Sequence, residues 1–143
     1  MTTRQISPTT LSLESADRAL DAGRARAEEL GVAMNIVVLD GGAYGVASAR
    51  MDGAALAAIE TSAVKARTAV LFAQPTRDLA AAVQPGAPLF TIDVATREPL
   101  AFVPGGVPVT DAAGRVIGAI GAGGGTPDQD DEVASAAATA IAS

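Results

Sequence analysis

The chain has 143 residues, of which 49% are apolar, and its formal net charge is −6. This length and composition predict one globular domain with a continuous core, and the acidic balance argues against nucleic-acid binding, which depends on a basic patch. The absence of cysteine and histidine excludes disulfides, thiolate catalysis and thiolate metal sites, and it removes the commonest general base and metal ligand.

The sequence contains no apolar run of the roughly 20 residues that a membrane-spanning helix needs. Its N-terminal segment, MTTRQISPTT, lacks the apolar core of a signal peptide. We therefore expect a soluble cytoplasmic protein with no membrane partner, no nucleic-acid partner and no metal site.

The hydrophobic pattern alternates between helical and strand periodicity along the chain. The predicted elements are a helix over 12–30, strands over 34–39 and 44–50, a helix over 54–73, a short helix over 77–83 capped by Thr76, strands over 100–103, 107–110 and 116–120, and a helix over 127–142. Turn-forming residues between neighbouring strands favour hairpins. The expected fold is α+β: an antiparallel sheet of about five strands packed with helices, in one domain over 10–142 after a loose lead-in over 1–9.

The longest predicted helix, 54–73, has two unlike sides. Large apolar residues lie along one side and small residues along the other: Leu56, Ile59, Val64, Val70 and Leu71 against Ala58, Thr61, Ser62 and Ala69. The small side would let another helix or another subunit approach closely. Together with the many alanines, this pattern indicates a homo-oligomer, a dimer or larger.

The segment from Arg115 to Glu132 predicts a buried strand, a glycine run and then a helix start. Thr126 is the expected N-cap of that helix. Acidic residues favour the positive end of a helix. We therefore expect Asp128, Asp130 and Asp131 to form a solvated first turn.

Two glycine loops are expected to lie side by side at one end of the sheet. They span 105–106 and 121–125, and their candidate ligand-binding residues are Gly105, Gly106, Gly123, Gly124 and Gly125. One interpretation is that they are tight turns that permit close packing. The other is that their backbone N–H groups form the floor of a pocket, to which Thr126 adds a hydroxyl.

Two charged residues of the predicted hairpin are candidates for a site, Asp40 in its turn and Arg50 at the end of its second strand. Asp40 either hydrogen-bonds the backbone of its own turn or places a carboxylate at the rim of a pocket. Arg50 either pairs with a nearby acid or anchors a ligand carboxylate, for which its planar guanidinium is suited.

Lys65 is the single lysine, and no acid lies three or four residues from it, so pairing along its own helix is not expected. It could pair with an acid from another element or subunit. Alternatively, burial could favour its neutral amine, which could then act as a base or nucleophile. Glu60 and Arg67 lie on the bulky apolar side of the same helix, and each needs a partner in another subunit or a ligand.

Seven short blocks are distinctive in their order and spacing. They are Leu-Ser-Leu-Glu-Ser-Ala at 11–16, Val-Val-Leu-Asp-Gly-Gly at 37–42, Ala-Arg-Met-Asp-Gly-Ala at 49–54, Lys65-Ala66 with Thr68-Ala69-Val70, Gln-Pro-Gly at 84–86, Gly-Gly-Val-Pro-Val at 105–109, and Val-Ile-Gly-Ala-Ile-Gly with Gly-Gly-Thr-Pro-Asp-Gln-Asp within 116–130. Together they resemble the GlcG/HbpS family, which includes the C-terminal domain of PduO-type proteins, over nearly the whole chain.

This resemblance implies a profilin-like α+β fold that assembles into dimers or larger oligomers. It also implies a small-molecule site, reported for some members as related to haem or corrinoids. Haem iron is usually held by His, Cys, Met or Tyr. Tyr44 and Met51, at the two ends of the second predicted strand, are therefore the candidate ligands. The acid pair Asp/Glu-x-x-Glu that is associated with iron in some members has no equivalent here, because Gln129 stands three residues before Glu132.

Three functions remain open, and the third is a structural or accessory protein whose main property is oligomerisation. The first is a binding module for haem, a related tetrapyrrole or a small organic acid, with a pocket formed by Tyr44, Arg50, Met51, Thr126 and the two glycine loops. The second is an enzyme that acts on a small organic acid or carbonyl compound. Without His or Cys, its catalysis would depend on Lys65 with Asp40 or Glu60, and Arg50 would lie in the site.

Overall fold

The computed structural model describes residues 10–142, which confirm the α+β class. In chain order the elements are α1 (Leu13–Leu30), β1 (Asn35–Asp40), β2 (Gly45–Arg50), α2 (Ala57–Phe72), α3 (Thr76–Leu79), 3₁₀ helices at Ala81–Val83 and Ile92–Ala95, β3 (Gly106–Thr110), β4 (Val116–Gly123) and α4 (Pro127–Ala142). The predicted lead-in over 1–9 lies outside the described residues. Within 10–142, no helix is both long and apolar enough to cross a bilayer.

Helix α1 ends where its sequence predicts and begins one residue later, because Ser12 is its N-cap. The Ser12 hydroxyl accepts a hydrogen bond from the Ser15 amide at 3.1 Å, which caps the first turn. Gly31 ends the helix in the left-handed conformation, at φ 72°, which glycine adopts without strain. Gly23 lies on the buried face, where a Cβ atom would approach Ile36 Cδ1 to 2.9 Å. The small residue therefore lets α1 pack closely on the sheet.

The sheet has four antiparallel strands in the order β2-β1-β4-β3. Strand β1 is central, and its first residue, Asn35, lies opposite Arg50 on β2 and opposite Gly123 on β4. Directly paired residues present their side chains on the same face of a sheet. Asn35 and Arg50 are therefore neighbours at one end of the hairpin.

The prediction of about five strands is wrong, because residues 100–103 do not join the sheet. This segment packs against α2 and α3 instead. The Ala101 amide donates to Thr68 Oγ1 at 3.0 Å, and the Val103 carbonyl accepts from Thr76 Oγ1 at 2.6 Å. Phe102 contacts Phe72 edge to face, with ring centroids 5.9 Å apart. Side chains therefore satisfy the polar backbone that a neighbouring strand would otherwise pair.

Two further predictions of local structure need correction. The short helix over 77–83 is divided into α3 and the 3₁₀ helix Ala81–Val83, and Thr76 is the first residue of α3 rather than its cap. The Thr76 hydroxyl also accepts a hydrogen bond from the Gly106 amide at 3.0 Å. A second 3₁₀ helix, Ile92–Ala95, lies between the predicted elements 77–83 and 100–103, where the sequence predicted no helix.

Helices cover both faces of the sheet. Helices α1 and α4 pack on one face, where Ile36 and Val38 of β1 meet Ile120 and Val133 in the main core. Helix α2 packs on the other face against β1, β3 and β4. Strand β2 lies at the edge of the sheet and is only partly covered, so the hairpin face beside α2 stays open.

Helix α2 has the two sides that its sequence predicts, but its small side faces the sheet of the same chain. Ser62, Ala66 and Ala69 are buried there. The large apolar side faces outward, with Leu56 77% exposed and Leu71 48% exposed. The expectation that the small side receives another helix or subunit is therefore wrong for this chain's own fold, because the glycines of β3 and β4 occupy that side.

Candidate functional site

The predicted site residues lie in four separate places. Asp40 and Tyr44 lie at the β1–β2 turn, and Arg50 and Met51 lie at the opposite end of that hairpin. Lys65 lies on the buried face of α2, which covers the glycine loops, while Glu60 lies on the exposed side of the same helix. At about 3.4 Å per residue, the two ends of the hairpin are roughly 17 Å apart. The predicted catalytic residues Lys65, Asp40 and Glu60 are thus not brought together.

At the hairpin turn, the Asp40 carboxylate accepts hydrogen bonds from backbone amides of its own loop. Its Oδ1 atom accepts hydrogen bonds from the Gly42 amide at 2.9 Å and the Tyr44 amide at 3.0 Å. This arrangement corresponds to the turn interpretation rather than to a free carboxylate. Tyr44 is 75% exposed, so its phenol extends into solvent beside the turn.

Lys65 forms a buried ion pair with an acid from another element. Its Nζ atom lies 2.7 Å from Asp130 Oδ2 and donates to the Ala122 carbonyl at 3.2 Å. The second oxygen of Asp130 accepts from the Gly125 amide at 2.8 Å. Both charged side chains are 6% exposed. The structure thus shows the first interpretation of Lys65, pairing with an acid of another element, and the pair joins α2 to the start of α4.

The first turn of α4 is not the solvated acidic turn that its sequence predicts. Asp128 is exposed, but Asp130 and Asp131 are buried. Arg77 bridges Asp128 at 2.8 Å and Asp131 at 2.9 Å. Burial raises the pKa of the Asp131 carboxyl, Arg77 acts in the opposite direction, and Asp78 and Asp128 reinforce the rise. Tertiary contacts with α2 and α3 therefore cover this turn.

The two glycine loops lie side by side, as predicted. The Ala122 amide donates to the Gly105 carbonyl at 2.8 Å, and Gly106 pairs with Gly121. A Cβ atom on Gly106 would lie 2.3 Å from the Lys65 carbonyl oxygen, and one on Gly121 would lie 1.8 Å from that of Ser62. These residues therefore let the α2 backbone rest directly on the sheet, which is the packing interpretation.

The end of the second glycine loop forms a capped helix start. Thr126 Oγ1 accepts from the Gln129 amide at 3.2 Å, and Gln129 Oε1 accepts from the Thr126 amide at 2.9 Å. This reciprocal pair of hydrogen bonds is a capping box. Thr126 is therefore the N-cap of α4, as its sequence predicts. A Cβ atom on Gly123 would lie 2.9 Å from Thr61 Oγ1, whereas Gly124 is exposed at φ 119°. The hydroxyl of Thr126 is thus already engaged by the backbone.

The large apolar side of α2 carries the charged residues Glu60 and Arg67, as its sequence predicts. Arg67 pairs with Glu98 at 3.1 Å and donates to the Pro99 carbonyl at 3.4 Å, so its partner lies in the same chain. Glu60 is exposed and has no hydrogen-bond or ion-pair partner among residues 10–142.

Arg50 and Met51 line two adjoining cavities of about 310 and 380 Å³ at the open end of the hairpin. Both cavities share these two residues and Asp52. Arg50 is exposed, and none of the described residues forms a hydrogen bond or ion pair with its guanidinium. By contrast, Arg24, which lines one of these cavities, is paired with Asp21 at 3.0 Å. Arg50 is therefore a cation available to a ligand.

Met51 is held against Met34, the residue before β1. Its amide donates to the Met34 carbonyl at 2.9 Å, and its sulfur accepts from the Met34 amide at 3.4 Å. Met34 is fully buried. Met51 is therefore the thioether that lies beside Arg50 at the cavity wall.

A larger cavity of about 530 Å³ lies on the open face of the hairpin beside α2, and we call it the hairpin groove. Its lining is largely apolar and consists of Asn35, Val37, Leu39, Gly45, Val46, Ala47, Ser48, Ile59 and Ala63. The groove adjoins the Arg50 cavities in two ways. Asn35 pairs with Arg50 across the strands, and Ile59 lies one helical turn from Leu56, which lines the smaller Arg50 cavity. Cavities of about 300–1,000 Å³ with apolar walls and a few polar groups are typical of small-molecule sites.

Sequence reasoning missed Asn35 and Asp130. A lone carboxamide at the start of the apolar strand Asn35–Leu39 was the available signal for the first. No sequence signal pairs Lys65 with Asp130, because 65 positions separate them. The glycine loops, Thr126 and Lys65 line neither the hairpin groove nor the two Arg50 cavities.

Comparison with known proteins places this architecture in a family. A family model described as "Haem degrading protein HbpS-like" matches residues 11–139. The chain belongs to the HbpS-like family. Among curated relatives of this HbpS-like chain, an uncharacterised 15.0 kDa protein of Citrobacter freundii, from the dhaT-dhaS intergenic region, is 36% identical over 85% of this chain and 84% of its own length.

Another relative of this HbpS-like chain is the corrinoid adenosyltransferase PduO of Citrobacter freundii, which is 33% identical over 92% of this chain. The match covers only 39% of PduO. This chain therefore corresponds to part of that protein.

Solved structures of similar proteins have the same fold. The Klebsiella pneumoniae protein ORFY has a TM-score of 0.92 at 30% identity and covers 99% of this chain and 97% of its own. HbpS has a TM-score of 0.86 at 31% identity over 100% of both chains. A PduOC:Heme complex also has a TM-score of 0.86, at 30% identity over 92% of this chain and 95% of its own. Since identity is 30% or more, these similarities support the family assignment as well as the fold.

Proposed function

We propose that this HbpS-like protein binds an apolar carboxylate in the hairpin groove, with the ligand's carboxylate on Arg50. The observation that carries the proposal is the exposed guanidinium of Arg50, which has no hydrogen-bond or ion-pair partner among residues 10–142 and lies at one end of the largely apolar hairpin groove. A planar guanidinium binds a carboxylate through two parallel hydrogen bonds. The apolar lining of the groove, contributed by residues such as Val37, Leu39 and Ile59, would cover the rest of the ligand.

Haem is the first ligand of this class to test. The family description refers to haem degradation, and a PduOC:Heme complex is among the similar solved structures. Haem is an apolar macrocycle with two propionates, which are suited to Arg50. Of the side chains that usually bind haem iron, Met51 is the one that lines the cavities beside Arg50. Met51 does not line the hairpin groove, and its sulfur already accepts from the Met34 amide, so a haem seated in the groove would not use this thioether as an iron ligand.

The enzymatic alternative has less support in the geometry. The Lys65 ammonium is already bound by Asp130 and by the Ala122 carbonyl, and Asp40 is occupied by its own turn. Glu60 lies on the exposed side of α2, away from the buried lysine. We therefore place the ligand at Arg50 and assign no reaction.

The test is a titration of the protein with hemin and, separately, with metal-free protoporphyrin IX. We expect a saturable Soret change with hemin and a saturable fluorescence change with the metal-free ring. Arg50→Gln should weaken the binding of both, because both carry propionates. Met51→Ala should leave the binding of both rings unchanged, because Met51 does not line the groove.

Two matched variants serve as controls. Arg97→Gln removes another exposed arginine that has no partner among the described residues. Asp128→Asn removes an exposed carboxylate at the start of α4, outside the groove. Neither should alter binding. Absence of any saturable change with both rings would overturn tetrapyrrole binding, and equal effects of Arg50→Gln and Arg97→Gln would overturn Arg50 as the anchor.

A further inference from the structure

Asn35 is a buried polar residue that lines the hairpin groove. It is 5% exposed and begins β1, where the other strand residues on both faces are apolar up to Asp40. A polar side chain buried in such a strand must be hydrogen-bonded or must serve a ligand. The hydrogen bonds of its carboxamide therefore indicate what it can do.

The orientation of the Asn35 carboxamide is determined by Ser62. The Ser62 hydroxyl has one proton, which it donates to the Ala58 carbonyl at 2.5 Å. Ser62 Oγ can therefore only accept from Asn35, and the atom 2.8 Å away is the Asn35 nitrogen, Nδ2. Reversing the amide would place two acceptors against each other. The carbonyl oxygen, Oδ1, is thus directed away from Ser62.

Asn35 Oδ1 is an acceptor without a donor. No group within residues 10–142 donates to it. Asn35 Oδ1 also remains accessible to solvent. Among the described residues that are not exposed, only Asp131 Oδ1 is a side-chain oxygen or nitrogen that lacks both a partner and accessible surface. The groove that Asn35 lines is the space available to it. A ligand in the groove would therefore meet a fixed, free carbonyl oxygen.

Arg50 supplies the complementary group on the next strand. Its Cα pairs directly with that of Asn35, and Cβ atoms of such cross-strand pairs are typically about 5 Å apart. A ligand carboxylate would bind the Arg50 guanidinium but would be repelled by Asn35 Oδ1. The part of the ligand that meets Asn35 must therefore carry an O–H or N–H donor.

We propose that Asn35 selects apolar carboxylic acids that carry a hydroxyl or N–H donor close to the carboxylate. This inference rests on the proposed function, since it takes Arg50 as the carboxylate anchor. An analogue without the donor would bury Asn35 Oδ1 unpaired. Leaving such an acceptor unsatisfied weakens binding by roughly 5- to 100-fold.

The test compares 3-phenyllactate with 3-phenylpropionate, which differ only by the hydroxyl next to the carboxylate. Dissociation constants are measured by calorimetry or by NMR titration. We expect the wild-type protein to prefer phenyllactate by about tenfold or more. The ratio of the two constants should fall to about one in Asn35→Ala, and using the ratio removes any general loss of affinity.

A second variant keeps the test decisive if Asn35→Ala does not fold. Ser62→Ala removes the hydroxyl that orients the carboxamide, so the preference should shrink while the groove lining stays intact. Equal affinity of the wild-type protein for the two acids would overturn the inference, and so would failure to bind either acid. A preference that survives both variants would also overturn it. The porphyrin titrations with Arg50→Gln report separately on the proposed function.

Discussion

Lys65 and Asp130 form an ion pair that is almost fully buried between α2 and α4, with Nζ and Oδ2 2.7 Å apart. The carboxylate also accepts from the Gly125 amide, so the pair connects α2, the glycine loop and the start of α4. A buried charge without its partner is costly because neither water nor protein compensates it. The single lysine of the chain therefore has a structural explanation.

We expect Asp130→Ala to lower the free energy of unfolding by about 3–5 kcal/mol, because it leaves the Lys65 ammonium buried and unpaired. Urea denaturation measures the loss. Asp128→Ala is the matched control, since its side chain is 88% exposed in the same helical turn, and its effect should stay within about 1 kcal/mol. The double variant Lys65→Met/Asp130→Leu should recover much of the loss. Similar effects of the two single aspartate variants would contradict the assigned role.

Gly121→Ala should be among the most destabilising single-methyl additions in this chain. The new Cβ atom would lie 1.8 Å from the Ser62 carbonyl oxygen, which belongs to the α2 backbone and cannot rotate away. Moving a packed helix costs about 1–3 kcal/mol or more. Gly45→Ala is the control, because an added Cβ there would meet no atom within 4 Å beyond its chain neighbours. Thermal denaturation should separate the two variants clearly, and equal melting temperatures would show that α2 does not rest on Gly121.

Asp131 should make stability depend on pH in a defined direction. Burial raises the pKa of this carboxyl above its ordinary value of 3.8, so the folded protein binds the proton more tightly than the unfolded chain does. Stability from this group is therefore present at low pH and is lost as pH rises from 3.8 through the raised value.

Asp131→Asn removes this loss. The free energy of unfolding of the variant, relative to wild type, should increase with pH above 3.8 and then level off. When Asp131 is retained, Arg77→Gln should enlarge the loss of stability with rising pH, because Arg77 is the cation that stabilises the ionised carboxylate of Asp131. Urea denaturation at a series of pH values measures both effects. A constant difference between Asp131→Asn and wild type would show that Asp131 does not titrate in this range.

We expect the protein to elute well above the size of a monomer. Leu71 on the outer side of α2 is 48% exposed, and exposed apolar patches commonly mark interaction sites. Leu71→Glu should shift the protein towards monomer in light scattering after size exclusion. Leu13→Glu is the control on α1, where the leucine is 59% exposed. A wild-type monomer at micromolar concentration would contradict this prediction.

Local sequence signals accounted for much of the fold. Ser12 and Gly31 delimit α1, Thr126 caps α4, and the turn after Asp40 forms the hairpin, because each depends on hydrogen bonds within a few residues. The α+β class follows from the alternation of the two hydrophobic periods. The extra predicted strand at 100–103 shows the limit of this reasoning, since an apolar extended segment can also be satisfied by side chains such as Thr68 and Thr76.

The sequence by itself determined the residue types available for chemistry, notably the lack of histidine and cysteine, and it singled out Arg50, Met51 and Lys65. Only the tertiary structure decided which of them meet. It paired Lys65 with Asp130 across 65 positions, and it left Arg50, beside Asn35 and the groove, without a partner among residues 10–142. Spacing along one element determines its faces, but contacts between distant segments depend on how the helices and the sheet pack, because burial and cross-strand register are properties of the assembled fold.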